Sequence, residues 1–148
     1  MRTKKWPFCR GVLLALCFSA VAPCANSVPS GDLETLLDAI ALVESGNRSN
    51  AIGDKGRAIG AYQIHRAYWK DGTRLLGVKW GYGDAFDPGK ARRVVRAYLR
   101  HYGREKSLIE MARIHNGGPR GYKKRATLAY GKKVQSLLRR KNRNLSGR

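Results

Sequence analysis

The sequence predicts a mainly α-helical domain with a small β-hairpin, an α+β fold class, on three observations. Two segments carry apolar residues at i, i+3, i+4, i+7 spacing and end at recognisable helix stops. Between them, residues 52–64 are punctuated by glycine and read as short extended pieces around a tight turn. No sustained repeat or heptad runs through the 148 residues, and 43% hydrophobic residues suffice for one modest core.

Residues 1–27 read as a secretory signal peptide, not as part of that fold. Arg2, Lys4, Lys5 and Arg10 form a basic head, and 11–22 is an apolar stretch too short to span a bilayer comfortably. Ala25-Asn26-Ser27 offers a small-x-small cleavage site. The short apolar stretch argues against an uncleaved anchor, and Pro23 argues against a lipoprotein built on Cys24. The expected destination is secreted or periplasmic. All three cysteines (Cys9, Cys17, Cys24) lie in this leader, so residues 28–148 hold no thiol, disulfide or Cys-based metal site. His65, His101 and His115 are spaced too far apart to suggest a zinc cluster.

The leader takes four of the 30 basic residues and none of the 10 acidic ones. The formal charge of +20 therefore becomes +16 over residues 28–148. Such a charge attracts polyanions, and nucleic acid, anionic membranes and acidic wall polymers all fit that description.

The first helix is expected from Ser30 to Ser45-Gly46-Asn47, with Leu33, Leu36, Leu37 and Ile40 on one buried stripe. Glu34 and Asp38 fall off that stripe and read as solvated charges. Glu44 falls within about 20° of Leu33, in the middle of it. Asp54-Lys55-Gly56 reads as the hairpin turn. A short helical or irregular piece then carries Tyr68, Trp69 and Asp71, and 72–86 is a Gly- and aromatic-rich connection. The clearest helix runs from Asp87, an N-cap followed by Pro88, to Gly103. Its apolar stripe is backed by Arg92, Arg93, Arg96 and Arg100. A shorter helix at 107–115 closes at Asn116-Gly117-Gly118. A last one starts near Ala126, enters a basic 132–148 tail and is expected to fray beyond Arg140.

Three places can carry chemistry. A carboxyl on an apolar helix stripe loses solvation on ionising, so Glu44 should hold its proton unusually well. Protonating a glycosidic oxygen requires such a group, although a buried Glu–Arg pair accounts for the position equally. Asp54, on a turn that folds back toward Glu44, reads either as a second cleft carboxylate or as the acceptor of an ordinary Asx turn. The A-R-I-H-N-G-G-P-R-G-Y run at 112–122 offers close backbone approach and polar side chains to a ligand, or merely caps a helix.

Together these pieces resemble invertebrate-type (i-type, destabilase) lysozymes. The matching segments are E-S-G-N at 44–47, G-A-Y-Q-I-x-x-x-Y-W-x-D at 60–71, A-R-I-H-N-G-G-P-x-G at 112–121 and T-L-A-Y-x-K-K-V at 127–134. The resemblance covers roughly residues 33–138. It implies a lysozyme-like fold over 28–148 and hydrolysis of the β-1,4 bond between N-acetylmuramic acid and N-acetylglucosamine in peptidoglycan. Glu44 matches the general acid and Asp54 the second catalytic carboxylate. Tyr62, Gln63, His115 and Asn116 match positions along the sugar cleft, while Trp69 and Asp71 are assigned to core packing and turn capping. No cofactor or metal is expected. The implied partners are peptidoglycan and the anionic wall surface, with non-specific nucleic acid bound only at low salt, and the expected state is a monomer.

The chain departs from that family in having no cysteine after the leader and in carrying Tyr130-Gly131 where a Tyr-Trp pair is usual. Segment 51–64 also resembles lytic transglycosylases, in which one Glu suffices and the product is a 1,6-anhydro sugar. An isopeptidase activity, known in the family, would have Ser45 as its one testable nucleophile. A secreted polyanion- or wall-binding protein without catalysis is the alternative from another class, supported by the arginine face at 92–100 and the basic tail.

Overall fold

Helix α1 (Ser30–Ser45) carries the buried stripe that organises the domain. The computed structural model describes residues 30–146, so the signal peptide expected over 1–27 lies outside the described residues. Leu36, Leu37 and Ile40 are fully buried and Leu33 nearly so. They join one cluster with Val94, Val95 and Leu99 of α3 (Pro88–Tyr102), Met111, Ala112 and Ile114 of α4 (Leu108–Gly117) and Val134 of α5 (Leu128–Ser146). Helix α3 begins and ends where its caps predict: the Asp87 side chain accepts from the Lys90 N–H, and Gly103 closes it. In α4 the Ser107–Glu110 capping box fixes the start, and the helix runs two residues past His115.

The expected hairpin is part of a three-stranded antiparallel sheet, β1 (Ile52–Gly53), β2 (Ala58–Ile59) and β3 (Ile64–His65), with a one-turn 3-10 helix at Asp54–Gly56. Ile52 faces Ile59, and Ile59 faces Ile64. The Tyr82 hydroxyl lies 2.7 Å from the Ile64 carbonyl and 2.8 Å from that of Arg57, clasping the sheet from outside. Gly60, between β2 and β3, has φ +76°, and a Cβ there would stand 2.1 Å from the Ala85 carbonyl oxygen. Only glycine fits both constraints.

Two stretches are more helical than the sequence pattern suggests. Helix α2 spans Arg66–Leu76, well into the expected connection, and 82–86 forms a further 3-10 segment. Gly72, the first residue of the expected connection, sits where a Cβ would meet Val94 Cγ1 at 2.6 Å, so it marks the α2–α3 contact instead. Helix α5 continues to Ser146 and does not fray at Arg140, and Lys141 on it pairs with Asp38 at 3.0 Å.

That pairing belongs to a network that corrects the reading of Glu34 and Asp38 as solvated charges. Arg96 donates to both Glu34 oxygens at 2.6 and 2.8 Å, and Arg92 bridges Glu34 at 2.9 Å and Asp38 at 2.7 Å. The two guanidiniums lower the Glu34 carboxyl from its ordinary 4.5 to about 2. Arg93, next on the same face, stacks over Trp80 at 4.9 Å. The arginine face at 92–100 therefore spends much of its charge within the molecule, which weakens the case for a dedicated polyanion surface there.

Two outcomes follow from these contacts. A carboxyl with a depressed folded-state pKa adds stability above its unfolded value and loses it as pH falls through the folded one. Glu34 is 37% exposed, so solvent screening reduces its contribution. Glu34→Gln should cost about 1 kcal/mol in urea unfolding at neutral pH, with the difference from wild type vanishing between pH 4.5 and about 2. Gly60→Ala should cost roughly 3 kcal/mol in the same measurement, from left-handed strain and the clash with Ala85.

Candidate active site

Helix α1 ends beside the sheet, and the chain geometry there builds a cleft. The Ser45 hydroxyl donates to the Ala61 carbonyl at 2.8 Å and accepts from the Arg48 N–H at 2.9 Å. Ser45 is buried and committed on both sides, which makes it the pin between α1 and the sheet and not an available nucleophile. The resulting cavity, about 790 Å³, is lined by Glu44 and Asp54 together with residues of β3, α2, α3 and α4.

Glu44 projects into this cavity from the last turn of α1, with its side chain 18% exposed. Burial raises its pKa, while the Tyr130 hydroxyl and the Lys133 ammonium partly offset that rise. Among the described residues no arginine lies within ion-pair distance of it; its nearest basic neighbour is His115 Nε2, 3.6 Å from Oε1. A buried Glu–Arg pair is not what holds this carboxyl.

His115 lies deeper than a simple cleft-wall residue, its side chain 4% exposed. Nε2 is 3.2 Å from the Tyr62 carbonyl, and Nδ1 is 3.2 Å from the Tyr68 hydroxyl. A carbonyl only accepts, so Nε2 carries the proton and Nδ1 accepts from Tyr68. Burial lowers the His115 pKa to about 4, so the ring is neutral at ordinary pH. Tyr68 in turn stacks on Tyr98, with ring centroids 3.7 Å apart, and both line the cavity.

Asp54 lines the same cavity from the turn after β1, its side chain 40% exposed. It and Lys55 both adopt left-handed backbone, at φ 45° and 55°. The turn closes through the Arg57 N–H and the Asp54 carbonyl, and the carboxylate faces Arg57 at 2.7 Å and His65 Nε2 at 3.5 Å. The Asp54 side chain is thus aimed along the cavity rim and not into an Asx turn.

The remaining expected residues divide. Asn116 is exposed on the cavity wall beside Gly118 and Pro119. Gln63 also lines the cavity, but its amide nitrogen is held by the carbonyls of Gly60 (3.0 Å) and Ala51 (3.3 Å), which leaves its oxygen as the free end. Gly53 makes room for that oxygen, since a Cβ would sit 2.1 Å from it. Tyr62 is 3% exposed and is not on the cavity wall: its hydroxyl accepts from Arg92 at 3.3 Å, and its carbonyl orients His115. Trp69 is in the core as expected, its indole N–H donating to the Trp80 carbonyl. Asp71 caps no turn; it lines the cavity within α2 and accepts from Tyr102 and Arg74.

Sequence reasoning assigned no cleft role to Tyr98, His65 or Tyr130. Tyr98 reads only as part of the α3 stripe, and Tyr130 reaches Glu44 through the α1–α5 contact, which leaves no trace in local spacing. Gly131, beside it, is roofed by the Arg113 stem, with Cδ and Cγ both 3.1 Å from where a Cβ would stand. An arginine stem thus covers the place at which the resemblance leads us to expect a tryptophan.

Comparison with known proteins bears on the whole arrangement. The chain is similar to a lysozyme of Ostrea edulis, 40% identical over 87 residues, covering 55% of this chain and 62% of that protein. It therefore spans less than two thirds of that relative's length. It is 35% identical over 109 residues to a lysozyme of Meretrix lusoria, covering 68% of this chain and 86% of that protein. Among solved structures it resembles a chain in the crystal structure of Aeromonas hydrophila PliI in complex with Meretrix lusoria lysozyme. There the TM-score is 0.60 and the identity 35%, covering 70% of this chain and 88% of that chain. The Destabilase family model matches residues 34–137, and it is to the Destabilase family that this chain belongs.

Proposed function

We propose that the protein is a muramidase that cleaves the β-1,4 bond between N-acetylmuramic acid and N-acetylglucosamine in peptidoglycan. One observation carries this reading: Glu44, partly buried and free of any arginine, shares a 790 Å³ cavity with the ionisable Asp54. The raised pKa of Glu44 keeps it protonated where ordinary carboxyls are not, ready to protonate the departing sugar oxygen. Asp54, steadied by Arg57 and His65, stabilises or captures the oxocarbenium-like carbon. Neutral His115, its Nε2–H committed to the Tyr62 carbonyl, stands 3.6 Å from Glu44 without forming a charge pair that would hold the carboxyl ionised. The cavity also suits a polysaccharide, offering Tyr68 and Tyr98 as aromatic wall and Asn116 as an exposed hydrogen-bonding group.

Secretion through the 1–27 leader would deliver the domain to this substrate, and no helix among the described residues is long and apolar enough to cross a membrane. A charge of +16 over residues 28–148 favours encounter with an acidic wall, screened over about 8 Å at physiological salt. The names of the similar Ostrea and Meretrix proteins agree with this activity.

Product analysis of digested peptidoglycan tests the reading. Glu44→Gln should retain the fold and lose activity by roughly a thousandfold. Asp54→Asn should lose on the order of a hundredfold or more, with reducing muramic acid ends in the wild-type digest. Anhydromuramic ends and near-full activity in Asp54→Asn would make the protein a lytic transglycosylase instead. The pH dependence has a defined sign: kcat/KM should fall as pH rises through the Glu44 pKa, with a midpoint above the ordinary 4.5. A midpoint at or below that value would contradict the role of Glu44 as acid.

A further inference from the structure

We propose that Tyr130 is a positioning residue of the cleft, its buried hydroxyl donating a hydrogen bond to the carboxylate that Glu44 becomes on giving up its proton. The inference rests on the reading of Glu44 as proton donor and adds the group that receives the resulting charge.

The geometry points to Tyr130 through an unmet requirement. Its hydroxyl is a buried side-chain polar atom that completes no well-formed hydrogen bond among the described residues, yet it lies close enough to the Glu44 carboxyl to oppose the rise in that group's pKa. Such an orphan is rare and calls for a reason. The titratable group that it faces is the Glu44 carboxyl, across the contact between α1 and α5. Burial and the Glu44 charge both push the phenol's own pKa upward, so its proton stays in place throughout the working range. The hydroxyl is therefore a fixed donor.

The other groups around Glu44 are committed or screened. From α4, His115 Nε2–H is directed to the Tyr62 carbonyl and is 3.6 Å from Glu44 Oε1. From α2, the Tyr68 hydroxyl is engaged with His115 Nδ1. From α5, Lys133 lies one turn beyond Tyr130 and is exposed, so water weakens its pull. Asp54 shares the cavity from the sheet side and is itself an acceptor. When Glu44 is protonated, Tyr130 has little to do. When the proton moves to the sugar oxygen, the carboxylate gains strong acceptor capacity and Tyr130 holds the uncommitted buried donor beside it. The hydroxyl thus acts on the charged state of Glu44, which favours proton release in the transition state.

Tyr130→Phe removes only the oxygen and tests this directly. Carboxyl NMR titration of the intact enzyme should show the Glu44 pKa rising by about one pH unit. The alkaline limb of the pH–rate profile should move up with it, and kcat should fall roughly fivefold with KM unchanged. In wild-type protein bearing isotope-labelled tyrosine, the Tyr130 ring signal should follow the Glu44 titration and cease to do so in Glu44→Gln. This second measurement needs no Tyr130 variant to fold. A Glu44 titration unmoved in Tyr130→Phe, or a Tyr130 signal blind to Glu44, would overturn the proposal, as would a loss of thermal stability alone. Persistent activity in Glu44→Gln would instead remove the muramidase reading while leaving the titration result intact.

Discussion

Burial of the Leu33–Leu36–Leu37–Ile40 stripe of α1 is the constraint on which the cleft depends. The stripe fixes α1 against α3, α4 and α5, and Glu44 follows it by helical geometry to the edge of the same core. A carboxyl placed there is neither fully solvated nor fully sealed. Burying an ionisable side chain at a helix end costs stability, and the rest of the core supplies the offset. The raised pKa of Glu44 is thus a consequence of where the apolar stripe stops.

The charged side chains do a different task around that core. Glu34 and Asp38 occupy the outer side of α1 and take Arg92, Arg96 and Lys141 as partners, tying three helices from outside while the stripe ties them from inside. Within the cleft the polar groups form a second, mostly neutral set: Tyr68, His115 and the Tyr62 carbonyl hold one another in fixed protonation states. The separation matters because an arginine beside Glu44 would lower its pKa as Arg96 lowers that of Glu34. Charge pairing stabilises the scaffold, and among the described residues no arginine pairs with Glu44 to lower its pKa in the same way.

Elements with local signatures were legible in the sequence. Helices α1 and α3 announce themselves by periodicity and caps, and the Asp87, Pro88 and Gly103 signals agree with the observed ends. The extension of α2 was hidden because 72–86 reads as a Gly- and aromatic-rich connection, whereas Gly72 at its start lets Val94 approach. The tail of α5 was expected to fray as chain termini commonly do, but its Lys141 finds Asp38 on α1. In the cleft, the unusual place of Glu44 was readable from angle alone. The inward turn of Tyr62, the engagement of Gln63 with the sheet and the approach of Tyr130 were not, because each depends on contacts made after the chain has folded back. A resemblance in motif identifies which residues gather at a cleft without saying which way each side chain faces.

Residues 28–148 contain a single sulfur atom, that of Met111, and it is 4% exposed within the α4 face of the core. Reducing agents find no bond to break in this domain, and oxidants find no accessible thioether or thiol to modify. A cleft held only by apolar contact, hydrogen bonds and ion pairs assembles without an oxidising compartment. No sulfur–sulfur bond in it can be made or broken by a change of redox conditions.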